Sequence, residues 1–176
     1  MNRIRARVVF LDFDGVLNSH AFWERRAVST APKTDRWEDD IDPEAVARVE
    51  RLCAESDAHV VVSSTWRLSH TKLALQELLR KKGFTREVLG TTPDYTMRNR
   101  PGGLWLANER GHEIQGWLDD NARSGSCDVV SFVILDDDSD MAHLKPRHVK
   151  IDVTVGFTDA DVERAAEILR RPMGAE

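Results

Sequence analysis

Cysteine is almost missing: of 176 residues only Cys53 and Cys127 carry a thiol. Two are too few for a disulfide framework or a thiolate metal site, and both are read as free thiols. No apolar run approaches the roughly 20 residues that a membrane-spanning helix needs. The basic start at residues 1–7 leads into a strand ended by Asp12 rather than into a signal h-region, so a cytoplasmic protein without membrane contact is expected. The six histidines are scattered without metal-ligand spacing, and His112 reads as a solvated neighbour of Arg110. Positive charge is in deficit, 25 Lys and Arg against 30 Asp and Glu, a net −5. That balance argues against broad, non-specific binding of nucleic acid, which needs a basic surface to neutralise phosphate, while leaving room for a local basic rim. No repeat, low-complexity tract or second domain is visible, and no feature demands an obligate protein partner.

What is present is an ordinary globular composition, 41% hydrophobic and 31% charged, in a chain long enough to bury one core. Short apolar runs alternate with amphipathic segments, the pattern of βαβ units around a mostly parallel sheet. The expected architecture is α/β: a Rossmann-like three-layer sandwich with five strands, a core over about 5–170, and minimal or no cap. Residues 19–41, polar and without periodicity, are expected to form a loop or flap. Asp42 and Pro43 mark the N-cap and first position of a helix that buries Val46, Val49, Leu52 and Cys53. Ser69 is expected to cap a helix burying Leu75, Leu78 and Leu79, with Gly83 as its left-handed terminator. A weak strand at 87–90, irregular chain at 91–109, a helix at 111–121 and strands at 129–135 and 149–153 follow. Thr158 and Asp161 then open a last helix with a capping-box pattern.

The chemistry concentrates where apolar runs stop. Val8 to Leu11 ends in Asp12-Phe13-Asp14-Gly15, Phe132 to Leu135 ends in Asp136-Asp137-Asp138-Ser139-Asp140, and Val60 to Val62 ends in Ser63-Ser64-Thr65. Three strands that end in oxygen-bearing side chains fit parallel strands carrying their chemistry at the carboxyl edge. Residues two apart on a strand share a face, so Asp12 and Asp14 point the same way unless the Gly15 turn re-aims the second. Two such charges at about 4 Å, with an effective dielectric near 20, repel by roughly 4 kcal/mol, which a divalent cation would offset. Asp136, Asp138 and Asp140 mimic part of a calcium loop, but its glycine and distal glutamate are missing.

Together the Asp12-x-Asp14-Gly15-Val16-Leu17 start, the hydroxyl after the second strand and the paired acids after the fourth resemble the haloacid dehalogenase (HAD) superfamily of phosphohydrolases. Ser63-Ser64-Thr65-Trp66-Arg67, Arg110-Gly111-His112-Glu113-Ile114 and Gly156-Phe157-Thr158 are similar to the nucleic-acid repair branch, the HAD domain of Swiss Army Knife RNA repair proteins. The resemblance implies Asp12 as nucleophile, forming an aspartyl-phosphate, and Asp14 as the acid that protonates the leaving oxygen and later activates water. It implies Mg2+ held by Asp12, the main-chain carbonyl of Asp14 and Asp136, with Asp137 or Asp140 acting through water. Ser63 would bind a phosphate oxygen, with Ser64 as the alternative. The lysine that superfamily members usually place before the fourth strand has no counterpart here, and Arg110, opening its helix, is the substitute.

Arg67, Arg98 and Arg100 could bind further phosphates, or be solvated like most loop arginines. Trp23, Trp66 and Trp105 near the cleft could stack a base, although packing is the commoner role of tryptophan. The expected activity is Mg2+-dependent phosphomonoester hydrolysis on a nucleic-acid end, a nucleotide or another small phosphate ester. A small-metabolite or sugar phosphatase is the alternative, and a catalytically silent phosphate-binding module a third reading that the intact acid pair opposes.

Overall fold

In a computed structural model, which describes residues 5–30, 36–95 and 110–174, the alternating pattern becomes a five-stranded, all-parallel sheet in the order β3-β2-β1-β4-β5. The strands are β1 (Arg5–Leu11), β2 (Ala58–Val62), β3 (Val88–Thr91), β4 (Asp128–Asp136) and β5 (His148–Lys150). The helices are α1 (His20–Val28), α2 (Pro43–Ser56), α3 (Lys72–Lys81), α4 (Arg110–Ser124) and α5 (Asp159–Arg170). Alternate residues of each strand serve opposite layers. Val9, Leu11, Val60, Val62, Val133 and Leu135 face α2, α3 and α5, whereas Val8, Phe10, Val61, Phe132 and Ile134 face α4 and the 3-10 turn Ala142–Arg147. Both faces of the sheet are therefore covered, which is why its strands read as unbroken apolar runs.

The helix boundaries follow from local chemistry. Asp42 accepts from Glu44 N at 2.9 Å, with Pro43 opening α2. Thr158 and Asp161 form the capping box of α5. Gly83 closes α3 with φ +102°, in the left-handed region that suits glycine.

Several expectations are corrected. Residues 19–41 contain more than a flap: α1 is a nine-residue helix capped by Ser19, and the 3-10 turn Trp37–Asp40 follows it. His20 and Ala21 donate backbone hydrogen bonds to the carbonyls of Val153 and Thr154, which pins α1 to the far end of the chain. The residue that caps α3 is Thr71, not Ser69, because the 3-10 turn Thr65–Leu68 takes up the first residues after β2. β5 is shorter than expected; of residues 151–153 Ile151 alone continues the pairing with β4, through the Asp136 carbonyl. No helix among the described residues is long and apolar enough to cross a membrane.

Candidate active site

Hydrogen bonds at the carboxyl edge of the sheet carry the strand register one residue beyond the strands. Thr92 N donates to Val62 O, Ser63 N to Leu11 O, and Asp12 N to Leu135 O, all at 2.9–3.0 Å. Register thus fixes Ser63, Asp12 and Asp136 side by side. One carboxylate oxygen from each of Asp12, Asp136 and Asp137 lies within 4.8 Å of the other two. Gly15 makes room for the third: it adopts φ +70°, and a Cβ there would come within 2.4 Å of Asp137 Cγ.

This floor is buried and short of countercharge. Asp12 Oδ1 accepts from Phe13 N at 2.7 Å, and the Ser64 hydroxyl also bonds the carboxyl. Arg110 reaches both strand ends, with Nη2 3.6 Å from Asp12 Oδ2 and Nε 3.3 Å from Asp136 Oδ2. Burial still pushes Asp12 above the ordinary carboxylate range, against the pull of Arg110. Asp136 is pushed up to about 8, by burial first and then by the charge of Asp12. Asp137 is raised by burial as well. Asp136 Oδ2 and the Ser63 hydroxyl are buried with no hydrogen-bond partner among the described residues. Three converging carboxylates, one with an oxygen lacking a donor, make an all-oxygen set of the kind a hard divalent cation such as Mg2+ prefers. The residues present fit the ion that the resemblance implies.

Asp14 stands apart. The turn re-aims it: Leu17 N and Val16 N donate back to Phe13 O, Gly15 N donates to Asn18 Oδ1, and the Asp14 carboxylate emerges exposed. Two neutral donors hold it there, Asn18 Nδ2 at 2.8 Å and the Trp66 indole N–H at 3.0–3.1 Å.

One residue gains a second role and one assignment changes. Asp140 uses one carboxylate oxygen as a helix cap, while its Oδ1 is buried with no hydrogen-bond partner among the described residues. Its Oδ2 accepts from Arg110 N at 2.8 Å and its carbonyl from Gly111 N, so it caps α4 and fixes the root of Arg110. Gly111 permits the approach, since a Cβ would sit 2.4 Å from the Met141 carbonyl oxygen. Arg67 is not a free phosphate-binding cation: it donates to the carbonyls of Ser63, Ser64, Thr92 and Pro93 and to Glu113 Oε2 at 2.5 Å, with its side chain only 4% exposed. It clamps the segments that follow β2 and β3, and so holds the Ser63-Ser64 corner. Arg98, Arg100 and Trp105 lie outside the described residues.

Glu113 was not singled out from the sequence. Buried between Arg67 and Arg110 Nη1, 3.9 Å away, it orients the second guanidinium toward the carboxylates. Its visible signals are its place in the Arg110-Gly111-His112-Glu113-Ile114 motif and the i, i+3 spacing from Arg110 on a helix.

Residues 8–162 match the family described as the HAD domain in Swiss Army Knife RNA repair proteins. No curated protein matches the chain.

Proposed function

The chain belongs to the family of HAD domains found in Swiss Army Knife RNA repair proteins, and from that membership and the geometry of the site we propose that it hydrolyses phosphate monoesters through Asp12. The convergence of Asp12, Asp136 and Asp137 beside Arg110 is the observation that carries this reading. An oxygen of Asp12 attacks phosphorus and the ester P–O bond breaks, with the proton of Asp14 passing to the departing alkoxide. Asp14, now a carboxylate, takes a proton from water as that water attacks the aspartyl-phosphate, releasing orthophosphate and regenerating Asp12.

Asp12, Asp136 and Asp137, with the Asp14 carbonyl, would hold Mg2+, which when bound offsets the charge of the phosphoryl oxygens. Arg110 supplies a planar cation to the same oxygens, and the unpartnered Ser63 hydroxyl offers a donor. The substrate we favour is a phosphorylated nucleic-acid end or nucleotide, supported by the repair family the chain matches.

The test is release of phosphate from 3'- and 5'-phosphorylated oligonucleotides, mononucleotides and sugar phosphates, with Mg2+ and with chelator. Release that needs Mg2+ and disappears in Asp12→Asn is expected. Equal residual rates in wild type and variant would end the proposal in favour of a phosphate-binding module. Preference for sugar phosphates would move the substrate to small metabolites.

A further inference from the structure

Next to Asp14 lies a cavity of about 400 Å3, walled by Trp37, Trp66, Leu68, His70 and Asp40. That volume falls in the range of small-molecule sites, about 300–1,000 Å3. Its aromatic wall is fixed. The Trp37 and His70 rings lie 4.0 Å apart, tilted by 30°, and the Trp66 ring meets Trp37 and Phe13 edge to face at 5.9 and 5.4 Å. His70 Nδ1 also lies 3.1 Å from the Trp66 carbonyl oxygen. Trp66 belongs to both neighbourhoods, because the same indole donates its N–H to Asp14.

Two further properties narrow the occupant. The acids of the lining are Asp14 and Asp40; Asp40 is paired with Arg26 Nη1 at 2.5 Å, and no Lys or Arg lines the space itself, so the wall offers a second phosphate no cation of its own. A bare sugar satisfies that condition but gives the tryptophans no π-face to stack. An uncharged heteroaromatic group meets both.

We propose that this cavity is the leaving-group subsite and that it takes the nucleobase of the nucleoside whose oxygen Asp14 protonates. The assignment rests on the reading of Asp14 as the general acid: the leaving oxygen must lie against that carboxyl, and the body of the leaving group then continues into the space beside it. The subsite selects substrates whose terminal phosphate is carried by a nucleoside.

The experiment compares esters with like leaving alcohols, adenosine 3'-monophosphate against glycerol 2-phosphate and adenosine 5'-monophosphate against glycerol 1-phosphate, on the full chain with Mg2+. For at least one pair the nucleotide should be favoured about tenfold or more in kcat/KM, the scale of stacking one base. Trp37→Leu should erase that preference, read as the ratio of kcat/KM on the two esters of a pair, and an unchanged circular dichroism spectrum reports that the variant folds. Trp37→Phe, which keeps a π-face, should retain most of it. Equal kcat/KM within both pairs, or a nucleotide preference that survives undiminished in Trp37→Leu, overturns the subsite and leaves the hydrolase reading standing. If no ester is cleaved, that reading fails instead, and the subsite is judged by saturation-transfer NMR with adenosine alone. Transfer that is lost in Trp37→Leu and kept in Trp37→Phe supports it, and absence of transfer to wild type overturns it.

Discussion

Asp12 and Asp14 are separated by one residue and occupy two different regions, the floor and the rim of the site. On the floor, Asp12 is 5% exposed and shares its space with Asp136, which is fully buried, and one arginine must face both. On the rim, Asp14 is exposed and held by neutral donors, Asn18 and Trp66. The two surroundings suit the two roles proposed above. A carboxylate deprived of water and countercharge is driven toward a cation or an electrophile. A group that gives a proton and then takes one needs solvent access, and uncharged donors fix its orientation without cancelling its charge.

The sharpest way to break this contrast is to neutralise each acid in turn. Asp12→Asn should lower phosphate release by a factor on the order of 10^4 or more, since it removes the proposed nucleophile. It should leave the thermal midpoint of the metal-free protein equal or higher, because it removes a buried like charge. A lower midpoint in calorimetry would show that the floor is not starved of countercharge.

Asp14→Asn should cost roughly 10^2–10^4 on an alkyl phosphate, the usual worth of general acid–base help. The loss should be much smaller on p-nitrophenyl phosphate, whose leaving group needs no proton. Equal losses on both substrates would remove Asp14 from the acid role.

Glu113→Ala tests what supports the floor. It leaves Arg67 buried without its partner, and breaking a buried pair from one side typically destabilises by about 3–5 kcal/mol, readable by urea unfolding. The same change frees Arg110, so the KM for phosphate esters should rise as well. Glu113→Gln should restore part of the stability through its remaining acceptor oxygen.

The smallest expected effect is a pH dependence. Asp136 is held at about 8 in the folded chain, above its ordinary 3.8. A raised carboxyl favours the folded state fully below the unfolded value, and that contribution is lost as pH climbs through the folded one. Metal-free protein should therefore lose stability between about pH 4 and 8. The rise in melting temperature on adding Mg2+ should grow across the same interval, since the ion competes with protons for the floor. A shift independent of pH would mean that the ion binds elsewhere. On the rim no comparable dependence is expected from Asn18 and Trp66, which do not titrate there.

Much of this arrangement is legible in the chain because it is local. Asp42-Pro43 and Thr158 with Asp161 mark helix starts within four residues, and the strands announce themselves as apolar runs that stop at acids or hydroxyls. Register does the rest: once β1 lies between β2 and β4, Ser63, Asp12 and Asp136 must be neighbours. The unread parts depend on long-range contacts or on competition between equivalent groups. Helix α1 buries little beyond Phe22, so its periodicity is faint, and its first turn is held by Val153 and Thr154 from the other end of the chain. Arg67 looks like any loop arginine until Glu113, 46 positions away, folds against it. Asp140 sits in a run of acids that are indistinguishable by sequence, and only the approach of α4 makes one of its oxygens a cap. Trp37 and Trp66, 29 positions apart, form one wall only after the chain crosses the sheet.

By itself the sequence determined the α/β architecture, the strand ends that bear acids and the family whose chemistry they serve, because residue periodicity and strand-terminal motifs are written over a few consecutive positions. Tertiary structure alone decided which acid is starved of water and which is exposed, which arginine faces the floor and which is locked behind it, and where an aromatic wall stands beside Asp14. Those outcomes depend on solvent exclusion and on partners tens of residues apart, and neither quantity exists until the chain has folded.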